Sequence, residues 1–282
     1  MQVRDKFWLW GHEANAHHEK YGIPPSRITP LEAACCMGIP NLIMVTFRGK
    51  PEMPYDQYAI PLSTLDRVVW SAVGAGGRTS AAERDHVLGL AGKHPNIVGV
   101  FLDDFFCPDR GDGKIAHLSL QELRELRERL TVGSRRLRLQ VTLYDYQLGM
   151  PLAPYLELLD DVSFWVWQAK DLNKLEADFA KLETILPPRC GKLLGLYMHD
   201  YGATPAAPMP VEAMQRQCET ALAWLRQGRI DGAIFLASCI CDVGLPAVEW
   251  TRRWIAQVGR EELPARGCPP MASRSPQMPP TG

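Results

Sequence analysis

Eight short apolar runs recur along the chain, and most are followed by a segment with helical periodicity. Runs rich in β-branched and aromatic residues are typical of buried strands, so the pattern predicts repeated strand–helix units. Eight such units over about 250 residues predict a single (β/α)8 barrel, an α/β fold in which helices cover a closed parallel sheet. An open, doubly wound sheet is the alternative. The runs are KFWLWGHE (6–13), NLIMVTFR (41–48), DRVVWSAVG (66–74), NIVGVFLDD (96–104), LRLQVTLYD (137–145), DVSFWVWQ (161–168), LLGLYMHD (193–200) and GAIFLASC (232–239).

Capping signals place three of the helix starts. The tetrads TPLE (29–32), SAAE (80–83) and SLQE (119–122) match the S/T-x-x-E capping box, which satisfies free N–H groups at a helix N-terminus. The third is followed by leucines at steps of three and four residues, which predicts an amphipathic helix. The connection after the second run contains three prolines and predicts a long loop with at most a short helix.

The domain boundaries follow from composition. No linker-like shift interrupts residues 1–260, which we interpret as one barrel domain. From residue 261 the sequence EELPARGCPPMASRSPQMPPTG is rich in Pro, Gly and Ser and has no apolar period. Such a composition cannot bury enough apolar surface to order itself, which predicts a disordered tail over 261–282.

The charge balance limits the classes of partner. A net charge of −1 disfavours a nucleic-acid or anionic-membrane surface, because such surfaces need a basic excess. No run of about 18 apolar residues is present to span a bilayer. We therefore expect a small-molecule or oligosaccharide substrate, with no nucleic-acid and no membrane partner. The helices that carry exposed tryptophans are compatible with a homo-oligomer.

Eight cysteines are scattered along the chain without the spacing of a zinc site. A chain of this size folds without disulfide staples, so we interpret these cysteines as reduced thiols and expect a cytoplasmic location. We expect no metal and no cofactor.

Polar residues at strand ends are the candidate site residues, because active sites of such barrels lie at the C-terminal ends of the strands. Side chains alternate along a strand, which predicts that His12, Asp103, Tyr144 and His199 point into the barrel mouth. Asp104 either turns toward the site or bonds the following loop. The candidates are His12, Glu13, Arg48, Asp103, Asp104, Tyr144, Asp145, Trp167, Gln168, His199, Asp200 and Tyr201.

Paired carboxylates beside aromatic rings suit glycosidic bond cleavage, in which one acid protonates the leaving oxygen and a second carboxylate attacks or activates water. With FLDDFF at the fourth strand and YMHDYG at the seventh, the chain resembles glycoside-hydrolase-like barrels. In many of those, acids ending strand four and a later strand are catalytic. The resemblance implies a glycosidase with Asp103, Asp104 and Asp200 as catalytic candidates, and with the other candidates binding substrate. Glu13 is the reserve carboxylate.

Three further interpretations are open. The opening HEANAHHE could bind a divalent metal through His12, Glu13, His17 and His18, joined by Asp103 and His199, as in an isomerase, aldolase or metal-dependent hydrolase. The barrel could instead bind a carbohydrate without turnover. The glycine-rich segment 73–79, VGAGGRT, resembles a phosphate loop but lacks its lysine.

Overall fold

The eight predicted strands all form, and they pair in parallel around a closed barrel in the computed structural model, which describes residues 1–74, 76–107 and 114–264. The open-sheet alternative is wrong, because the first strand also pairs with the last, with Phe7 opposite Ala233. The strands, β1 to β8, are Phe7–Gly11, Asn41–Thr46, Arg67–Gly74, Ile97–Leu102, Arg138–Tyr144, Asp161–Trp165, Gly191–Tyr197 and Gly232–Leu236.

Helices lie between the strands. All three predicted capping boxes are confirmed: Ser80, for example, accepts from the amide of Glu83, and the Glu83 carboxylate accepts from the amide of Ser80. The connection after β2 contains only a seven-residue helix, as its prolines predict. The helices, α1 to α9, are His18–Tyr21, Pro30–Met37, Asp56–Leu62, Ala81–Lys93, Leu120–Glu128, Ala153–Leu156, Leu175–Ile185, Val211–Arg226 and Pro246–Val258.

Strand alternation divides each strand into an outer and an inner face. On β1, Phe7 faces outward and packs on Phe235 and on Trp254 of α9, with ring centroids 5.2 and 5.7 Å away. Trp10 faces inward and meets Phe101 and Trp165 edge to face. Burial of such rings on both faces is the main apolar stabilisation of the barrel.

The interior of the barrel is filled by large rings opposite small residues. The Trp165 indole lies directly over Gly195, where any Cβ would overlap the ring. Trp10 and Trp165 therefore fill the barrel interior, and Trp10 also lines the cavity at the C-terminal mouth.

Two segments differ from the sequence-based prediction. Strand β7 ends at Tyr197, and His199–Asp200 pairs instead with Ala207–Pro208 in a separate hairpin. Glu261 and Leu263 pair with the N-terminal residues of the chain, so the ordered fold extends beyond the predicted boundary at residue 260. Most of the predicted tail, residues 265–282, lies outside the described residues. No helix in the described ranges is long and apolar enough to cross a bilayer.

Candidate active site

A cavity of about 300 Å³ opens at the C-terminal mouth of the barrel. Six of the twelve predicted site residues line it, namely His12, Asp103, Asp104, Tyr144, Trp167 and Tyr201. Asp103 and Asp104 are the only carboxylates among its described lining residues. The cavity is therefore the place where the sequence-based candidates converge.

Asp103 is a buried acid directed into the barrel, as strand alternation predicts. Its side chain is only 5% exposed, and its Oδ1 accepts a hydrogen bond from the hydroxyl of Thr142 at 3.1 Å. Burial, and after it the charge of Asp104, raises the pKa of Asp103 well above its usual value of 3.8, and the Thr142 bond only partly opposes this. The surroundings of Asp103 thus favour its protonated form more than those of an exposed aspartate do.

Asp104 also reaches the cavity, although it follows Asp103 directly. Strand β4 ends at Leu102, and the positive φ of Asp104, 47°, breaks the strand alternation, so two consecutive side chains share one cavity. The carboxylate accepts hydrogen bonds from the Tyr144 hydroxyl at 2.7 Å and from the amide of Gly76 at 3.1 Å. Hydrogen bonds from two donors stabilise a carboxylate acceptor at this position.

The glycine-rich segment after β3 supplies one of those donors. Gly77 has a φ of 72°, and a Cβ there would overlap the His117 ring and come within 2.6 Å of the Asp104 carbonyl oxygen. Glycine is therefore required for this segment to approach Asp104. In the described part of the segment, the Gly76 amide donates to a carboxylate of the protein itself, and this contact gives the phosphate interpretation no support.

Aromatic rings flank the two aspartates. Tyr144 and the exposed Tyr146 stack with ring centroids 5.2 Å apart and planes only 6° from parallel. Trp167 and Tyr197 add edges to the same wall. Burial, with the charge of Asp104 as a smaller cause, raises the pKa of Tyr144 well above 10, so its hydroxyl remains a donor. Such rings suit the apolar face of a sugar.

His12 lies on the wall of the cavity opposite Tyr144 and the two aspartates. Its Nε2 accepts a 2.9 Å hydrogen bond from the Trp10 indole, which is only a donor, so the ring proton of neutral His12 lies on Nδ1. Burial lowers the pKa of His12 to about 3, with the charge of Lys20 as the second cause. His12 is accordingly a neutral donor throughout the neutral pH range.

The other six predicted residues lie outside the cavity lining. The Asp200 Oδ1 accepts from the amides of Ala203 and Ala169 at 3.2 and 3.4 Å, and His199 packs beside Tyr201. Both belong to the hairpin that begins after β7, so the barrel alternation no longer applies to them. The geometry gives the predicted pairing of Asp200 with Asp103 or Asp104 no support.

Local contacts account for the remaining four. The Tyr58 hydroxyl donates to Glu13, which lies in a groove between α2 and α3, and Arg48 forms a 3.0 Å ion pair with Glu19. Asp145 accepts from the backbone amides of Tyr146 and Trp167, and Gln168 lies against Gly202. These polar residues lie just after strand ends, but their side chains contact neighbouring loops and helices and do not enter the cavity.

Several lining residues were missed by the sequence-based prediction. Lys20, Tyr21 and Phe47 come from α1 and from the loop after β2, and His17 was considered only as a metal ligand. The one available signal was the aromatic and basic content of HHEKYG (17–22) directly after a strand end.

The metal alternative requires a cluster of ligands. Within the described ranges, no three His, Cys, Asp or Glu side chains are grouped to hold a metal ion. The Nε2 of His12 is already taken by Trp10, and the Nδ1 of His17 bonds the Tyr201 hydroxyl at 2.9 Å. Two of the predicted ligands, His12 and His17, are therefore engaged in hydrogen bonds with cavity aromatics.

Comparison with known proteins identifies the architecture. No protein-family model matches the sequence, and no curated protein matches it. Solved structures that match over nearly the whole chain include a candidate α-L-fucosidase from Bacteroides thetaiotaomicron, with 12% identity, coverage of 92% of this chain and 94% of that one, and a TM-score of 0.58. A chitinase from the same organism has 8% identity, coverage of 93% and 99%, and a TM-score of 0.53.

A third match is a GH128 endo-β-1,3-glucanase from Amycolatopsis mediterranei, solved with laminarihexaose. It has 11% identity, coverage of 88% and 99%, and a TM-score of 0.52. At these identities the likeness shows the fold alone. The protein has the TIM-barrel fold found in glycoside hydrolase structures.

Proposed function

We propose that this protein hydrolyses a glycosidic bond in its barrel-mouth cavity. The observation that carries the proposal is the pair Asp103 and Asp104, two carboxyl groups in one cavity with different surroundings. Burial raises the pKa of Asp103, whereas the carboxylate of Asp104 accepts hydrogen bonds from the Tyr144 hydroxyl and the Gly76 amide. Environments that separate two carboxyl groups in this way are typical of an acid and a carboxylate acting together.

In the proposed reaction Asp103 donates its proton to the leaving glycosidic oxygen. Asp104 is the carboxylate that attacks the anomeric carbon or activates water there. The Tyr144 hydroxyl holds Asp104 in position, and the stacked pair of Tyr144 and Tyr146 offers a ring face for the sugar. The placement of the cavity at the C-terminal ends of the strands, and the glycoside hydrolases that share this fold, support the same conclusion.

A panel of aryl glycosides and oligosaccharides tests the proposal. Purified protein is expected to hydrolyse at least one member. Asp104→Asn should abolish most turnover of every substrate, and Asp103→Asn should abolish most turnover of the oligosaccharides, whose leaving groups need a proton. Asp85→Asn, at a surface ion pair with Arg129, is the matched control and should retain it. Turnover that survives both cavity substitutions would contradict the assignment. Sugar binding without turnover on any substrate would favour a carbohydrate-binding barrel instead.

A further inference from the structure

The cavity wall opposite the aspartates has a different chemical character. In the barrel order, β1 lies diametrically across from β5, which carries Tyr144. The wall that includes His12 at the end of β1, Lys20 on α1 and Phe47 after β2 therefore faces the wall of Asp103 and Asp104. One side of the cavity presents acids, and the other presents donors and a cation.

The donor is the Nδ1–H of His12. Its side chain is 3% exposed, and Nδ1 has no hydrogen-bond partner among the described residues. Buried donors in folded proteins are almost always satisfied, because leaving one unpaired costs its full desolvation energy. Since the Trp10 indole already occupies Nε2, a bound acceptor is the natural partner for Nδ1.

The cation is Lys20, the only lysine or arginine among the described lining residues. Its ammonium lies 5.0 and 5.1 Å from the ring centroids of Tyr21 and Phe47, and no carboxylate of the described chain pairs with it. Neighbouring cations are paired differently: Arg48 contacts Glu19 at 3.0 Å, and Lys50 contacts Glu52 at 2.6 Å. The rings hold the ammonium at the cavity without neutralising it.

We propose that this wall binds an anionic substituent of the substrate, either the carboxylate of a hexuronic acid or a sulfate ester. Its oxygens accept from Nδ1–H of His12 and from the ammonium of Lys20. The negative charge of Asp104 repels the same substituent from the other wall, so the anion also fixes which end of the sugar meets Asp103. This inference rests on the proposed function and specifies its substrate class.

Binding of matched monosaccharides tests the inference. Titration calorimetry at constant ionic strength compares methyl glucuronide and methyl galactoside 6-sulfate with methyl glucoside and methyl galactoside. The preferred anionic sugar should bind at least about tenfold more tightly than its neutral counterpart. Lys20→Met should remove that preference and Lys20→Arg should keep it. Lys181→Met, which removes the exposed ammonium that pairs with Asp178 on α7, is the charge-matched control and should leave binding unchanged.

The outcomes separate this inference from the proposed function. A preference confined to the glucuronide identifies a carboxylate, and one confined to the sulfated sugar identifies a sulfate ester. Equal affinity for neutral and anionic sugars, no binding of any of them, or a preference that survives Lys20→Met would overturn the inference. Hydrolysis of neutral glycosides without any preference would overturn it while leaving the hydrolase proposal intact. Tighter binding of the anionic sugars without turnover of any substrate would support the anion-binding wall and contradict the hydrolase proposal.

Discussion

The hydroxyl of Tyr144 donates a 2.7 Å hydrogen bond to Oδ1 of Asp104. Tyr144 ends β5, Asp104 lies just beyond the end of the neighbouring strand β4, and both line the cavity. The bond holds the Asp104 carboxylate at the mouth of the barrel after the chain has left the regular geometry of β4. A residue of the regular barrel thus positions the carboxylate that we propose to act on the substrate.

Tyr144→Phe removes this donor and leaves the ring in place. A hydrogen bond to a charged group contributes about 1.5–3 kcal/mol, so we expect kcat/KM for glycoside hydrolysis to fall by about 10- to 100-fold. Steady-state kinetics measures the loss, and circular dichroism checks that the fold is kept. Tyr155→Phe is the matched control, because Tyr155 packs on Phe105 and Phe106 but does not itself line the cavity. Unchanged kinetics in Tyr144→Phe would show that the bond does not serve catalysis.

The raised pKa of Asp103 predicts a pH-dependent stability. Because the folded pKa lies above the unfolded value of 3.8, the unfolded state releases this proton first as pH rises. Stability from this group is present below 3.8 and is lost as pH rises through the folded pKa. Urea unfolding of wild type and Asp103→Asn across this range should show the variant gaining relative stability with pH. A pH-independent difference would contradict the assignment.

His12 should remain neutral over the working range of most enzymes. The unfolded chain takes up a proton near pH 6.5 whereas folded His12 does so only near pH 3, so this group makes folding less favourable as pH falls below about 6.5. Long-range ¹H–¹⁵N NMR spectra should show the Nδ1–H tautomer without titration between about pH 5 and 8. An imidazolium signal, or the Nε2–H tautomer, would mean that the bond from Trp10 is not formed.

Gly77→Ala tests the close approach of the segment after β3 to Asp104. The added methyl group would overlap the His117 ring in a backbone conformation with φ of 72°, so we expect a loss of about 1–3 kcal/mol of unfolding free energy, together with reduced activity. Gly89→Ala, inside α4 with open space around it, should instead stabilise the protein by about 0.5–1 kcal/mol. Thermal and urea unfolding measure both, and equal effects would refute the packing argument.

The barrel was predictable because its signals are local. Apolar runs and capping boxes are short-range patterns, and alternation along β4 correctly directed Asp103 into the mouth. The sequence left two positions open for Asp104, toward the site or toward the following loop, because its positive φ arises after the strand ends. The structure places its side chain in the cavity lining. Asp200 was placed by extending β7 past Tyr197, where a hairpin takes over.

The opposite wall shows a second limit of sequence reasoning. Lys20 and Phe47 are far apart from Asp103 along the chain, and they meet the cavity only because α1 and the loop after β2 fold over the mouth. Nothing in the local pattern says which loop side chains cover a barrel end. The donor at Nδ1 of His12 was also not predictable. It depends on the hydrogen bond from the Trp10 indole to Nε2, which only the three-dimensional structure shows.

The dependence of hydrolysis on the leaving group tests the central claim most directly. A proton from Asp103 matters for a poor leaving group, such as a sugar or methoxide, and matters little for 2,4-dinitrophenolate, which departs without protonation. For Asp103→Asn we predict a loss of about 10²- to 10⁴-fold in kcat/KM on the poor leaving group and a small change on the activated one. Asp104→Asn should impair both. Equal losses for both leaving groups in Asp103→Asn would contradict its assignment as the proton donor.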